Sequence, residues 1–215
     1  MLLSFDVVAE AIPEHDSWHT HEHLPERLSI PGFLRGTRWT ALRGSPRYMV
    51  LYEVESLDTL TSASYLERLN NPTPWTTKIM PHYRSMERGL CSVLGSFGYG
   101  TGRLCGLIRF KPGLAAPVHQ WLLTDILPSL PAQAGLGSAH LLQGVSSASM
   151  TNEQRLRGED GRVHSALIVT GYDQSAVETT TEAVLADLNT KKGADGATLA
   201  IYQVAYSLAH AEIDA

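Results

Sequence analysis

Trp18–Gly32 reads WHTHEHLPERLSIPG, and Trp121–Gly135 reads WLLTDILPSLPAQAG. Laid on one another at an offset of 103 residues, the stretches match Trp18 with Trp121, Leu24 with Leu127, Pro25 with Pro128 and Gly32 with Gly135. The matches are few, but they fall where geometry would hold them. One is a tryptophan facing the core of a helix, one a Leu-Pro pair that bends it, and one a glycine where the chain enters the next strand. The chain is therefore read as a tandem duplication.

The flanking segments support this, because the same order of elements occurs twice. In the first half, strand LLSFDVVA leads to a helix from about Asp16 to Ser29, then to strands GFLRGTRWTAL and RYMVLYEVE joined by RGSP. A helix from about Leu57 to Leu69, the irregular stretch NNPTPWTTKIMPHYRSMER and strand CSVLGSFGY complete it. The second half runs RLCGLIRF, helix PVHQWLLTDILPSLPA, GSAHLLQGV, VHSALIVTGY, helix SAVETTTEAVLADLNT and TLAIYQVAYSL. Each half, residues 1–100 and 101–215, is a β-α-β-β-α-β ferredoxin-like unit, and the class is α+β. GYGTGRLCG, which imitates a phosphate-binding loop, precedes a strand rather than a helix and reads as the linker. Two helices cover only one face of each sheet, so the bare faces are expected to pack on one another as an intrachain barrel.

Composition narrows the partner. Of 215 residues 43% are apolar and 18% charged, the profile of a globular chain, and the net charge of −5 comes with no basic run. That pattern argues against nucleic acid or an anionic membrane and for a small hydrophobic molecule. Cys91 and Cys105 are too few for a disulfide framework and lie outside any C-x-x-C spacing. The N-terminus has neither a basic n-region nor a cleavage pattern, and no stretch approaches the about 18 apolar residues of a membrane span. The expected location is the cytoplasm.

The run from Trp18 to Trp39, continued by GSPRYMVLYEVESLDTL, resembles the dimeric α+β barrel superfamily, closest to its EthD-like and muconolactone-isomerase-like branches. Members commonly read W-x-x-x-E-H-[ILV]-P near the first helix, then PGF entering strand two and Y-x-x-L-Y-E/D in strand three. Trp18, Glu22, His23, Leu24, Pro25, Pro31, Gly32, Phe33, Tyr48, Leu51, Tyr52 and Glu53 match those positions. The resemblance implies the fold more than the activity, since members include cofactor-free isomerases, decarboxylases, polyketide cyclases, quinone-forming monooxygenases and haem-linked enzymes. Many are homodimers of one unit; a chain with both units is expected as a monomer or a homodimer.

On a helix His19 and His23 (i, i+4) share a face, whereas His21 lies well round the cylinder. Their second-half counterparts Leu122 and Ile126 are apolar, so this face is expected to look inward, and His21, matched by Thr124, outward. His19, Glu22 and His23 also spell H-x-x-E-H, a zinc pattern that would need a third ligand such as Glu67. Pro25 would bend such a helix and the resemblance assigns the E-H pair to a metal-free pattern, so neither a metal nor another cofactor is expected. An inward imidazole needs a partner, which makes His23 the candidate acid/base, with His19 or Glu22 orienting it. Glu22 has a structural reading as well, a salt bridge to Arg35 or Arg38. Trp39, Tyr52, Trp75, His82 and Tyr83 are the expected substrate-binding residues, a pocket for a flat apolar molecule between sheet and helices. The polar stretch SSASMTNEQRLRGEDGR reads as a long loop able to cover a pocket mouth. The expected function is cofactor-independent acid/base chemistry of the lyase or isomerase type on a small cyclic or aromatic substrate. A cofactor-free monooxygenase and a non-catalytic binder of a hydrophobic metabolite are the alternatives.

Overall fold

The computed structural model describes residues 1–110, 115–145, 150–191 and 196–213. The first half holds β1 (Leu2–Val7), α1 (Ile12–Trp18), a π turn (His19–His23), α2 (Leu24–Leu28), β2 (Phe33–Arg43) and β3 (Tyr48–Val54). It continues with a 3-10 turn (Leu57–Thr61), α3 (Ala63–Asn70), α4 (Pro74–Ile79) and β4 (Tyr83–Gly98). The second half holds β5 (Leu104–Phe110), α5 (Ala116–Trp121), a π turn (Leu122–Ile126), a 3-10 turn (Leu127–Ala132) and β6 (Leu136–Val145). Then come α6 (Asn152–Arg157), β7 (Gly161–Arg162), β8 (Ser165–Gly171), α7 (Gln174–Lys191) and β9 (Thr198–Ala209).

Within each half the strands lie in the ferredoxin-like order, β4-β1-β3-β2 and β9-β5-β8-β6. The halves join edge to edge, β2 with β9 from Arg35↔Ala209 to Arg43↔Ile201 and β4 with β6 from Leu90↔Val145 to Gly98↔Ser138. Every pairing in this ring is antiparallel, and the eight strands close into a barrel with no free edge. The short β7 adds a parallel pairing on β4 outside the ring. Strand alternation divides the core into three. Tyr48, Val50 and Tyr52 of β3 join the first helix layer, Met49 joins the barrel lumen, and a separate helix layer forms around Leu122, Leu127 and Val177. Among the described residues no helix is long and apolar enough to cross a membrane.

Both Leu-Pro pairs follow a five-residue π turn. A proline ring within a helix clashes with the carbonyl four residues back, and widening the turn relieves that clash without ending the helix. Gly32 and Gly135 then enter β2 and β6 at φ +88° and +90°. At Gly32 a Cβ would also approach the Thr59 hydroxyl to 2.5 Å, so glycine is required there twice over.

Several boundaries differ from the sequence expectation. The first helix starts at Ile12, a turn before Asp16, with Pro13 at its N-terminal end where the missing N–H costs nothing. The stretch expected to be irregular contains α4 and the first residues of β4, which is 16 residues long and exchanges partners along its length, β1 at one end and β6 at the other. The polar stretch after β6 contains α6, held by a capping box between Thr151 and Gln154; its residues 146–149 lie outside those described.

Candidate active site

The π turn keeps three histidines on one buried face. His15, His19 and His23 are 0%, 2% and 7% exposed, and their rings follow one another along the helix, tilted by 39° and 43°, with centroids 5.6 and 5.4 Å apart. Phe5 and Tyr48 pack on the His15 end and Trp18 on the His23 end, its indole 4.4 Å from that imidazole. His21 is exposed and turned back to the Ser17 carbonyl, 2.9 Å away.

His15 is fully partnered. Its Nδ1 is 3.0 Å from Asp16 Oδ1 and its Nε2 is 3.2 Å from the Tyr83 hydroxyl, while the Tyr48 hydroxyl donates to the same Asp16 oxygen at 2.9 Å. Burial works to raise the Asp16 pKa, but the His15 hydrogen bond, the Arg38 charge and the Tyr48 hydrogen bond outweigh it and hold the carboxyl below its usual value. An ionised Asp16 only accepts, so His15 carries its proton on Nδ1 and accepts from Tyr83 at Nε2.

His19 and His23 are different. Among the described residues, the Nδ1 atoms of both, the Arg38 Nε and the Tyr52 hydroxyl find no hydrogen-bond partner although they are buried. Burial, and then the charges of His15, Arg38 and Arg27, push the His19 pKa well below 6.5. Burial, Arg27, His19 and Arg157 do the same to His23. Both rings are neutral at pH 7. Burial also raises the phenol pKa values of Tyr52 and Tyr83, so these hydroxyls stay protonated as donors.

A helix of the second half closes this region. Buried Glu153 of α6 pairs with Arg27 of α2 and, at 3.2 Å, with Arg157, whose other amine reaches Asp160 at 2.8 Å. Asn152 binds Asn70 twice, its N–H to the side-chain oxygen at 3.2 Å and its side-chain amide to the carbonyl at 2.7 Å. Burial alone would lower the Arg27 pKa, but Glu153 and Glu26 raise it, so the guanidinium stays charged. A buried, fully paired network of this kind fixes how α6 sits on the first half.

Of the residues singled out in the sequence, His19, His23, Tyr52 and Tyr83 meet in this layer. Glu22 faces another way: its Oε1 accepts from Trp18 Nε1 at 3.1 Å, Thr73 at 2.5 Å and Thr76 at 3.4 Å, tying the π turn to α4. It bonds neither histidine, and its expected arginine partners are engaged elsewhere, Arg35 near Glu53 at 4.0 Å and Arg38 with Asp16 and Thr20. Trp75 and His82 are half-buried near Glu14, outside the histidine row. Trp39 corrects the expected pocket. A register shift between Phe33 and Arg35 leaves Phe33 in the helix layer and places Trp39 in the lumen beside Met49, on the opposite face of the sheet from Tyr52. Among the described residues no three His, Cys, Asp or Glu side chains converge as a metal site, and Glu67 is exposed on α3.

His15, Asp16, Tyr48, Arg27 and Glu153 were missed. The i, i+4, i+8 spacing of His15, His19 and His23 stood in the sequence, hidden by starting the helix one turn late. The lumen opens at one end into a cavity of about 850 Å³ lined by Trp39, Leu51, Cys91, His140, Leu142 and Ile168 among others.

No family model matches the chain and no curated protein sequence does. Solved structures do. It is similar to an anthrone oxidase-like protein with a TM-score of 0.66 and 15% identity, over 99% of this chain and 92% of that one. It is similar to a putative monooxygenase from Fusobacterium nucleatum at a TM-score of 0.59, with 11% identity and coverage of 97% and 92%. A putative monooxygenase from Lactobacillus acidophilus NCFM follows at a TM-score of 0.56, with 8% identity and coverage of 97% and 94%. At such identities the likeness is one of fold. The chain is an α+β barrel of the ferredoxin-like, dimeric type, with both units of the dimer in one polypeptide.

Proposed function

We propose that the first helix layer is an acid/base site for a small apolar cyclic or aromatic substrate, with His23 taking a proton from a carbon or hydroxyl next to a carbonyl. The observation that carries this is the set of polar atoms left without partners in one buried, aromatic layer: His19 Nδ1, His23 Nδ1 and the Tyr52 hydroxyl. Buried polar groups are almost always satisfied, so a site with several unsatisfied ones has room in its chemistry for a ligand. A protonated Tyr52 donates to the substrate oxygen, and the neutral His23 accepts the proton. His19 stands between His23 and His15, whose partner Asp16 has a side chain 37% exposed. The step uses only groups of the chain and the substrate.

Two outcomes of the same proton removal divide the readings. Returning the proton to another carbon is an isomerase step, and expelling a leaving group from the adjacent carbon as the double bond forms is a lyase step; the E-H-L-P resemblance supports this pair. Reaction of the carbanion with dioxygen would instead turn one methylene and one dioxygen molecule into one ketone carbonyl and one water. The oxidase and monooxygenase names of the fold neighbours support that reading.

Anthrone, a tricyclic ketone with an acidic methylene, separates them. Under nitrogen in deuterium oxide the protein is expected to accelerate methylene exchange, seen by NMR, and His23→Ala is expected to reduce that acceleration about 100-fold or more, His19→Ala less. Oxygen uptake on admitting air assigns the oxygenase reading; exchange without uptake assigns the isomerase or lyase type. No acceleration by the unaltered protein, or acceleration indifferent to both substitutions, would sink the acid/base assignment.

A further inference from the structure

The barrel lumen is closed at one end and open at the other. At the closed end Leu2, Cys105, Leu107, Ala166 and Tyr202 pack together. Arg109 of β5 donates to Glu87 of β4 at 2.5 Å and to Ser4 of β1 at 3.1 Å. β5 neighbours neither β1 nor β4 in the ring, so these bonds span the lumen and plug it. At the open end the cavity of about 850 Å³ remains. An eight-stranded barrel is wide enough either to be filled by its own side chains or to hold one small ligand, and this one does each at one end.

Three features define what fits. Trp39, Met49, Leu51, Leu142 and Ile168 give the wall an apolar part, and Leu34, Val93 and Tyr99 at the mouth are 45%, 60% and 96% exposed, three of the chain's large exposed apolar side chains around one opening. The mouth's charges are Arg35, set against Glu53, and the exposed Glu55, a balance that attracts no anion. Trp39, 1% exposed, forms part of the wall, and its Nε1 has no acceptor. The polar groups of His140, Ser96, Ser138 and Thr170 satisfy one another. His140 Nδ1 is 2.8 Å from Ser96, its Nε2 is 3.1 Å from Ser138, and Ser138 is 2.7 Å from Thr170 and donates to the Gly100 carbonyl at 3.1 Å. The unmet need is for a hydrogen-bond acceptor at the indole N–H.

We propose that the open half of the lumen is a second ligand site, separate from the histidine layer, for an uncharged flat aromatic molecule whose carbonyl oxygen accepts from Trp39 Nε1. The site takes the ligand end-on through the mouth between Val93 and Leu34. Apolar burial supplies most of the affinity and the indole the orientation.

The test is a matched pair of probes, 9-fluorenone and fluorene, which share a ring system and differ in the carbonyl. Each is titrated against bound 1-aminoanthracene, read by its fluorescence. Fluorenone is expected to bind about tenfold more tightly than fluorene, the factor of one good hydrogen bond. Trp39→Phe is expected to bring fluorenone down to fluorene's affinity and leave fluorene unchanged. Val93→Trp, at an exposed position where folding is not at stake, and Leu51→Trp, inside, are each expected to weaken both probes about tenfold or more by filling the space. His23→Leu is expected to change neither. Equal affinity for the two probes in the unaltered protein, absence of binding, or binding that survives both tryptophan substitutions overturns the lumen site. Binding lost in His23→Leu but kept in Val93→Trp moves the ligand to the helix layer, overturning the lumen proposal while leaving the acid/base reading intact.

Discussion

His19 in the first half and Leu122 in the second occupy the same position on the same five-residue π turn, 2% and 0% exposed. One turn earlier His15 answers to Val118, and one turn later His23 answers to Ile126. The backbone, the proline and the positive-φ glycine are shared, so both helices pack against their sheets in the same way. What differs is the interior: a filled apolar layer under α7 in one half, a row of imidazoles closed by α6 in the other. A duplicated unit thus carries an apolar face in one copy and a row of imidazoles on the equivalent face of the other.

The comparison breaks most severely at its cover. Glu153→Ala leaves Arg27 charged and buried without its partner, and a loss of about 3–5 kcal/mol in urea unfolding is expected, concentrated on the first half. An unchanged midpoint would mean that α6 is not anchored by this pair.

Exchanging side chains between the copies comes next. Leu122→His puts a polar ring into a filled apolar layer and is expected to cost about 2–4 kcal/mol. His19→Leu removes an unpartnered nitrogen and is expected to be neutral or stabilising by about 1 kcal/mol, at the expense of the proton step. A large destabilisation by His19→Leu would show that the imidazole is structural.

Acid sharpens the same contrast. The pKa values of His15, His19 and His23 are lowered in the folded protein, so below their unfolded value of about 6.5 the unfolded chain takes up protons that the folded one refuses. Their stabilisation is complete above that pH and is lost as pH falls toward the folded values, by up to about 1.4 kcal/mol per pH unit for each ring. The melting temperature is therefore expected to fall between pH 6.5 and 5, and less steeply in His19→Leu, whose difference from the unaltered protein isolates that ring. Parallel curves would contradict the neutral, buried assignment.

The smallest effect concerns Glu22. Because its carboxylate clamps Trp18, Thr73 and Thr76 rather than either histidine, Glu22→Gln is expected to cost about 1 kcal/mol of stability and to leave the exchange rate and its pH profile nearly unchanged. A shifted pH profile would instead place Glu22 in the proton path.

Much of the fold was legible because strand and helix periods are local. The apolar pair Leu122 and Ile126 even indicated which way His19 and His23 would face. Other features were not local. The face of Trp39 depends on a register shift between Phe33 and Arg35 in the pairing of β2 with β3, and α6 is a short polar helix with no apolar stripe to announce it. Arg27 and Glu153 lie 126 residues apart, and no spacing rule connects them.

By itself, then, the sequence determined the repeated unit, the bend at each Leu-Pro, the glycine turns and the inward direction of two histidines, since propensity, periodicity and φ restrictions act over a few residues. Tertiary structure alone decided that the sheets would close edge to edge, that α6 would cross to seal the histidine row, and that half the lumen would stay open. Those outcomes depend on which strand edges meet and how side-chain volumes from distant segments fill one space.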